Sequence, residues 1–458
     1  MLRALIPLLV FFSLVSPAFA EDEPLKPPRP LQSALDALAE GRWTTAAEIA
    51  ERDGPAAVAI IDWIRLSEGL ALPKEVLAFL QSYPDWPGET KLRRANEDVM
   101  THADFDDVLA FYDGYTPQTG VGVLNYARAL TARGQAGEAE ATVVLAWRTM
   151  DLTTAEHKAF VDAYTDLLQP HHEARLEMAL WRGLRDVQQM LPLVPKKTRK
   201  LAEARQKIEN GRTIEVDALP EGGAENAGIA YARFKQLIKK DHDDEAIALI
   251  LERSRIEGGL GEPQRWAGWR RFLAREKMRD GDAETAYQLA AGHQLADGSA
   301  YADLEWLSGY LTLTYLDAPD VALDHFQRFR AAVVSPISLG RAGYWIGRAQ
   351  EAAGDAEAAQ LTFAFGAQYQ TSFYGLLAAE RAGLPTDPKL AGIKPEGAWR
   401  NAAFAETDLF KAGVLLLATG RLSLAEQFFV SLSETLDADQ LTLLGQALHD
   451  LQEPHLQV

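Results

Sequence analysis

The nine histidines are the residues best able to bind a metal ion, because the chain has no cysteine. His171 and His172 are adjacent, and His157 precedes them by four helical turns. No His-Glu-x-x-His occurs, and no two histidines lie three or four residues apart. Helical zinc sites need ligands at that spacing, so we expect no metal site and no cofactor.

A glycine-rich stretch, EGGLGEP at 257–263, raises the question of a phosphate-binding loop. It follows no strand-like run and lacks the Gly-Lys-Ser/Thr ending, so we predict a turn between helices. Gly-x-Ser-x-Gly is absent from the sequence, which removes support for serine hydrolase chemistry.

Two further patterns allow a structural and a functional interpretation. The only dense basic cluster is KKTRK at 196–200, which suits a solvated helix start or contact with an acidic polymer. Tryptophans recur at Trp266, Trp269, Trp306 and Trp345. Such rings stack on sugars in some proteins, but at helical spacing they more often belong to a hydrophobic core.

Composition limits the classes of protein that remain. The 458 residues include 46 Lys and Arg against 65 Asp and Glu, a net charge of −19, with 47% hydrophobic residues. That hydrophobic share excludes a disordered chain. The acidic charge argues against nucleic acid or an anionic membrane surface as a partner.

The first 20 residues have the pattern of a secretory signal peptide. Arg3 precedes an apolar run over 4–15, and an Ala-x-Ala site ends at Ala20. The run is too short to span a membrane. We expect cleavage after Ala20, export to the periplasm, and a poorly ordered proline-rich leader over 21–30.

The rest of the chain is predicted to be all-α, with a recurring helix–glycine–helix unit. The glycines that mark it are Gly41, Gly134, Gly281, Gly354 and Gly420. With further turns at 317–319 and 384–387, the period is in the mid-thirties, as in two-helix solenoid repeats.

One repeat matches the tetratricopeptide spacing. Gly347 is the small residue of its first helix and Gly354 is the turn, and the second helix has the small residue Ala359 and the aromatic residue Phe363. We therefore predict a tetratricopeptide-like superhelix, an α-solenoid. Its two blocks, 31–210 and 226–458, are separated by a loop over 211–225 that is rich in glycine.

Several stretches resemble the soluble lytic transglycosylases of the bacterial periplasm. They are YPDWPG at 83–88, AWR at 146–148, YADLEWLSG at 301–309, SPISLGRA at 335–342, YWIGRA at 344–349 and SFYGLLA at 372–378. Eight of their residues are assigned to the family motifs, with an expected structural role: Trp306, Pro336, Ser338, Tyr344, Trp345, Phe373, Tyr374 and Gly375.

The resemblance implies a ring- or horseshoe-shaped helical scaffold that engages peptidoglycan, the partner we expect. Such enzymes cleave the glycan with a separate lysozyme-like domain, whose glutamate lies in a Glu-Ser motif with Gly-Leu-Met-Gln further on. In this sequence the last methionine is Met278, so no Gly-Leu-Met-Gln follows it. Ser433-Glu434 has the two residues of the Glu-Ser motif in reversed order. We therefore expect the scaffold region without its catalytic domain, and we assign no catalytic residue.

The sequence leaves a second hypothesis open, a periplasmic helical-repeat adaptor that binds a separate catalytic or other periplasmic protein. Under either hypothesis we expect no nucleic-acid partner and no membrane span.

Overall fold

The structure, a computed structural model, describes residues 29–392 and 397–456. Every regular element in these stretches is a helix, and neither contains a strand. The fold class predicted from the sequence, an all-α helical-repeat superhelix, is thus confirmed. The ring or horseshoe curvature stays a prediction. The predicted signal peptide and residues 21–28 of the leader lie outside the described residues.

Most of the helices follow one another through short turns; the connections from α12 to α13 and from α21 to α22 are longer. The first five are α1 (Pro30–Ala39), α2 (Trp43–Ala50), α3 (Pro55–Ser67), α4 (Pro73–Ser82) and α5 (Glu89–Asn96). The next eight are α6 (Phe105–Phe111), α7 (Gly120–Ala132), α8 (Ala136–Thr149), α9 (Thr154–Leu168), α10 (His172–Arg182), α11 (Val187–Met190), α12 (Lys196–Glu209) and α13 (Ala227–Lys239). Eight more are α14 (Asp243–Ser254), α15 (Pro263–Arg279), α16 (Ala283–Ala291), α17 (Gly298–Thr314), α18 (Pro319–Ala331), α19 (Pro336–Ala352), α20 (Ala356–Gly366) and α21 (Phe373–Ala382). The last are α22 (Asp408–Ala418), α23 (Leu422–Glu434) and α24 (Ala438–Asp450).

The chain forms two compact units, Met1–Val99 with Pro395–Val458, and Met100–Lys394. The segment 211–225 lies within the second unit, between α12 and α13, and its only regular element is the short 3₁₀ turn Val216–Ala218. The division into two blocks at that loop stays a prediction.

Residues from the two ends of the chain build the core of the first unit. The Trp63 and Trp86 rings lie 5.2 and 4.9 Å from the ring of Phe428, both edge-on. The Trp63 indole donates a hydrogen bond of 2.9 Å to the carbonyl of Pro87. The 83–88 stretch therefore belongs to a packed core in this unit.

The glycines predicted to end the first helix of each pair all have left-handed backbone conformation. Their φ angles are 74° at Gly41, 81° at Gly134, 86° at Gly281, 86° at Gly354 and 71° at Gly420. A side chain is disfavoured in that conformation, so glycine ends the helix and lets the chain reverse.

A second type of glycine lets the paired helices approach closely. A Cβ atom on Gly347 would lie 2.5 Å from the Phe363 ring, so α19 and α20 could not keep their separation. The same contact recurs between Gly309 and Phe326, at 2.7 Å. The tetratricopeptide spacing thus reflects a physical contact, an aromatic ring seated on a helix backbone.

A buried ion pair lies in the core of the second unit. Arg175 on α10 pairs with Asp186, and both side chains are fully enclosed. The Arg175 guanidinium lies 4.4 Å from the centre of the Trp147 ring and also donates to the carbonyl of Trp147 near the end of α8. Burial lowers the pKa of Arg175, and the charge of Asp186 acts in the opposite direction.

Candidate functional site

An aromatic stripe crosses three helices of the second unit. We use this name for Trp306 and Tyr310 on α17, Tyr344 and Trp345 on α19, and Tyr374 on α21. The Trp345 ring lies 6.0 Å from Trp306, 5.3 Å from Tyr310, 5.4 Å from Tyr344 and 6.2 Å from Tyr374. Trp345 is therefore the centre of the stripe.

Helical periodicity places these side chains together. Trp306 and Tyr310 are four residues apart on α17, and their rings stack at 5.3 Å. On α19, Arg341, Trp345 and Arg348 follow at intervals of four and three, so they share one face. The start of α19 is defined by Pro336 in the first turn and by Ser335, whose hydroxyl accepts the N–H of Ser338 at 3.3 Å.

Arg341 lies over the aromatic stripe. Its guanidinium carbon is 3.6 Å from the centre of the Trp306 ring and 5.7 Å from that of Tyr374. Burial lowers the pKa of Arg341, and Tyr374 and Asp303 act in the opposite direction. Among the described residues, no carboxylate pairs with it within 4 Å. The stripe therefore carries a cation that is not neutralised by direct contact.

A cavity of about 460 Å³ opens beside the stripe, between the C-terminal halves of α17 and α19. It is lined by Tyr310, Leu313, Thr314, Trp345, Arg348, Glu351 and Ala352. Two aromatic rings thus share one cavity with a guanidinium, a carboxylate and a hydroxyl. Its volume lies within the range of small-molecule sites.

Glu351 is the carboxylate of the cavity lining, and two arginines lie close to it. Glu351 accepts from Arg381 at 3.2 Å and lies 3.7 Å from Arg348. Arg348 also donates to the Tyr344 hydroxyl at 3.1 Å. The carboxylate of Glu351 is therefore shared between Arg348, which also lines the cavity, and Arg381, which does not.

The structure brings five of the eight motif residues into one ring network. Four of them, Trp306, Tyr344, Trp345 and Tyr374, belong to the stripe, and Phe373 is 5.2 Å from Tyr374 with its ring largely exposed. The sequence did not single out Tyr310, Arg341, Arg348 or Glu351. Tyr310, Arg341 and Arg348 lie three or four residues from Trp306 or Trp345, and Glu351 lies three residues after Arg348; this spacing was the available signal.

The other three motif residues lie at helix starts and at a helix contact. Pro336 and Ser338 are in the first turn of α19. Gly375 donates its N–H to the Ser372 hydroxyl at 3.1 Å, and a Cβ atom there would overlap the carbonyl of Tyr369. A side chain at position 375 would therefore displace this turn.

Glu305, the residue before Trp306 on α17, belongs to a buried network. It accepts from His293 at 3.2 Å, from His325 at 2.6 Å and from Arg328 at 3.0 Å. The N–H of Leu295 donates to Nδ1 of His293, so the Nε2 atom of that ring carries the proton given to Glu305.

This environment is unsuited to general acid catalysis. Burial alone would raise the pKa of Glu305, but the hydrogen bonds from both histidines and the charges of His325 and Arg328 lower it to about 2. A glycoside-cleaving acid needs a raised pKa, so that it still holds a proton at neutral pH. Within the described residues, each carboxyl group with a clearly displaced pKa is shifted downward: Glu75, Asp282, Glu305 and Asp450.

The glycine-rich stretch and the basic cluster that the sequence analysis considered both make structural contacts. The stretch 257–263 connects α14 to α15, where Arg253 donates to the carbonyl of Gly259 at 3.0 Å. The basic cluster begins α12, and Lys197 pairs with Glu221. In the part of the chain that the structure describes, no group of three or more His, Asp or Glu residues is arranged to hold a metal ion. No helix there is long and apolar enough to cross a membrane.

Comparison with solved structures finds the same architecture in lytic transglycosylases. An inactive mutant of the lytic transglycosylase Slt from Pseudomonas aeruginosa superposes with a TM-score of 0.61 at 18% identity, covering 94% of this chain and 70% of that chain. What the two chains share is the fold. A 70-kDa soluble lytic transglycosylase in complex with bulgecin A matches with a TM-score of 0.45 at 15% identity, over 93% of this chain and 69% of that one. No family model and no curated protein sequence matches the chain.

Proposed function

We propose that this chain is the superhelical scaffold region of a periplasmic lytic transglycosylase, and that it binds or braces peptidoglycan. The observation that carries the proposal is the fold likeness to Slt over 94% of this chain. The motif stretches support it, since they follow one another along the chain in the order expected for that family. Under this proposal residues 1–20 direct export to the periplasm.

The chemistry of the stripe supports a wall polymer as the partner. Peptidoglycan presents sugar rings, which have apolar faces, and peptides, which carry carboxylates. Aromatic rings offer matching apolar surface, and guanidinium groups pair with carboxylates through two parallel hydrogen bonds. The rings of the stripe and the arginines Arg341, Arg348 and Arg381 supply both features within one unit.

The residues of this chain are proposed to hold the wall and not to cleave it. The Glu-Ser and Gly-Leu-Met-Gln motifs are absent from the sequence, and Glu305 is a buried anion rather than an acid. Incubation of the purified chain with sacculi should therefore release no anhydro-muropeptides in a chromatographic assay. Their release at a rate that scales with protein concentration would end this part of the proposal.

Co-sedimentation with purified sacculi tests binding. We expect the mature chain to pellet with sacculi that have been stripped of all attached protein. Because the chain is strongly acidic, attraction to an acidic polymer by net charge alone does not account for such a result. If the chain stays in the supernatant unless other periplasmic proteins are added, the adaptor hypothesis replaces the wall-binding one.

A further inference from the structure

We propose that the cavity between α17 and α19 is a subsite for a sugar unit that carries a carboxylate. This inference rests on the proposed function and goes further, since it assigns a place and a chemical class to the ligand. Trp345 and Tyr310 would contact the apolar face of the sugar, and Arg348 would bind its carboxylate.

The first argument is the juxtaposition of aromatic and charged groups in one cavity. The rings of Tyr310 and Trp345 are nearly perpendicular, at 86°, with their centres 5.3 Å apart. They form two walls of a corner and not a flat stack. A pyranose ring placed in such a corner loses water from its apolar carbons, while its hydroxyl groups remain at the open side near Thr314 and Glu351.

The second argument is the position of the cations along α19. Arg341 and Arg348 lie seven residues apart on the same face as Trp345, which places them about 10 Å apart along the helix. Arg341 has no ion pair among the described residues, and Arg348 only shares Glu351 with Arg381. A carboxylate beside the Trp345 ring would therefore meet guanidinium groups that lack a full counter-charge.

A larger cavity in the same unit provides a contrast. It measures about 570 Å³ and lies between the 213–216 segment and the helices α13 and α14. No phenylalanine, tyrosine or tryptophan lines it, and three carboxylates, Glu215, Glu245 and Glu252, stand among its cations. Size alone would select this cavity, but it lacks aromatic walls. The chemistry selects the smaller one.

The sharpest test fills the cavity without disturbing the core. Ala352 is the last residue of α19, lines the cavity and is exposed, so Ala352→Phe would occupy the space and leave the buried contacts of Trp345 intact. Ala353→Phe is the matched control, because Ala353 is the exposed neighbouring residue and does not line the cavity.

Binding would be measured by titration calorimetry with two disaccharides. One is N-acetylglucosaminyl-N-acetylmuramic acid with a free lactyl carboxylate; the other is N,N′-diacetylchitobiose, called chitobiose below, which has the same number of rings, the same acetamido groups and no carboxylate. We expect Ala352→Phe to weaken binding of the acidic disaccharide at least tenfold, and Ala353→Phe to leave the affinity for this disaccharide unchanged. Equal affinity in both variants would overturn the subsite.

The charge component has its own test. Arg348→Met should lower the affinity for the acidic disaccharide to that for chitobiose, whereas chitobiose should bind the variant as it binds the wild type. Arg330→Met is the control, because Arg330 also covers an aromatic ring, that of Phe365, but lies outside the cavity. Chitobiose binding as tightly as the acidic disaccharide to the wild-type chain would overturn the role of the carboxylate.

The wall-binding proposal and the subsite proposal can be contradicted by different results. If the wild-type chain pellets with sacculi and Ala352→Phe binds the acidic disaccharide normally, the subsite is wrong and wall binding stands. If the disaccharide binds as expected but the chain does not pellet, the subsite stands and the wall-binding proposal fails.

Discussion

Two arginines of the second unit lie over tryptophan rings in opposite environments. Arg175 covers Trp147 at 4.4 Å, is fully enclosed and pairs with the buried Asp186. Arg341 covers Trp306 at 3.6 Å, is half-buried and has no ion pair among the described residues. The same cation–ring contact thus occurs at Arg175 with an ion pair and at Arg341 without one.

The difference shows which arginine maintains the fold. Burial of a charge is tolerated only with a partner, and Arg175 has a carboxylate and the carbonyl of Trp147. Arg341 instead lies on the ring of Trp306 with no carboxylate in direct contact among the described residues, which suits contact with an acidic ligand.

Removal of Asp186 should have the largest effect on stability. Asp186→Ala leaves the guanidinium of Arg175 buried without a counter-charge, and we expect a loss of about 3–5 kcal/mol in the free energy of unfolding. Urea unfolding followed by circular dichroism measures it. The control is Asp303→Ala, because the Asp303–Arg271 pair is 41% exposed on both sides and should contribute less than about 1 kcal/mol.

A double variant shows whether the cost arises from the unpaired charge. Arg175→Met combined with Asp186→Leu removes both charges and keeps apolar volume, so it should be clearly more stable than Asp186→Ala. Equal stability of the two variants, or a loss below about 1 kcal/mol in Asp186→Ala, would contradict the role given to this pair.

Glu305 is a buried charge next to Trp306 of the aromatic stripe, and its contribution to stability depends on pH. Its pKa is about 2 in the folded chain against an ordinary value of 4.5. As pH falls below 4.5, the unfolded chain takes up the proton first. The stabilisation is therefore complete above pH 4.5 and is lost as pH falls towards 2, by about 3 kcal/mol.

Unfolding free energies between pH 6 and pH 2 would measure this contribution. Glu305→Gln should be less stable than the wild type at pH 6, and the difference should shrink as the pH falls through this window. A constant difference over the whole range would show that Glu305 stabilises the fold through packing and not through its charge.

The parts of the fold that depend on nearby residues could be predicted from the sequence. A left-handed glycine such as Gly354, and the Gly347–Phe363 contact sixteen residues apart, leave a local signal that a repeat period reveals. The packing of Trp63 on Phe428 leaves none, because it joins opposite ends of the chain.

The candidate site was predicted in part for the same reason. The motif residues Trp306 and Trp345 could be named, but their contact depends on how α17 and α19 pack. The lack of an ion pair at Arg341 and the network around Glu305 depend on residues from several helices. Composition and spacing do not encode such distances, so burial and charge pairing had to come from the structure.

Substitution of Arg341 should have the smallest effect on stability. It tests whether Arg341 differs from Arg175 in binding a ligand rather than stabilising the fold. Arg341→Met keeps an apolar chain over Trp306 and leaves no carboxylate unpaired, so we expect a loss of about 1 kcal/mol or less in the free energy of unfolding. Arg175→Met, which strands Asp186, should cost several times more. The same Arg341 variant should bind sacculi more weakly than the wild type, most clearly at low salt, because the lost interaction is with charge. If Arg341→Met were as destabilising as Arg175→Met and still bound sacculi normally, both arginines would serve the fold, and the aromatic stripe would be core rather than a binding surface.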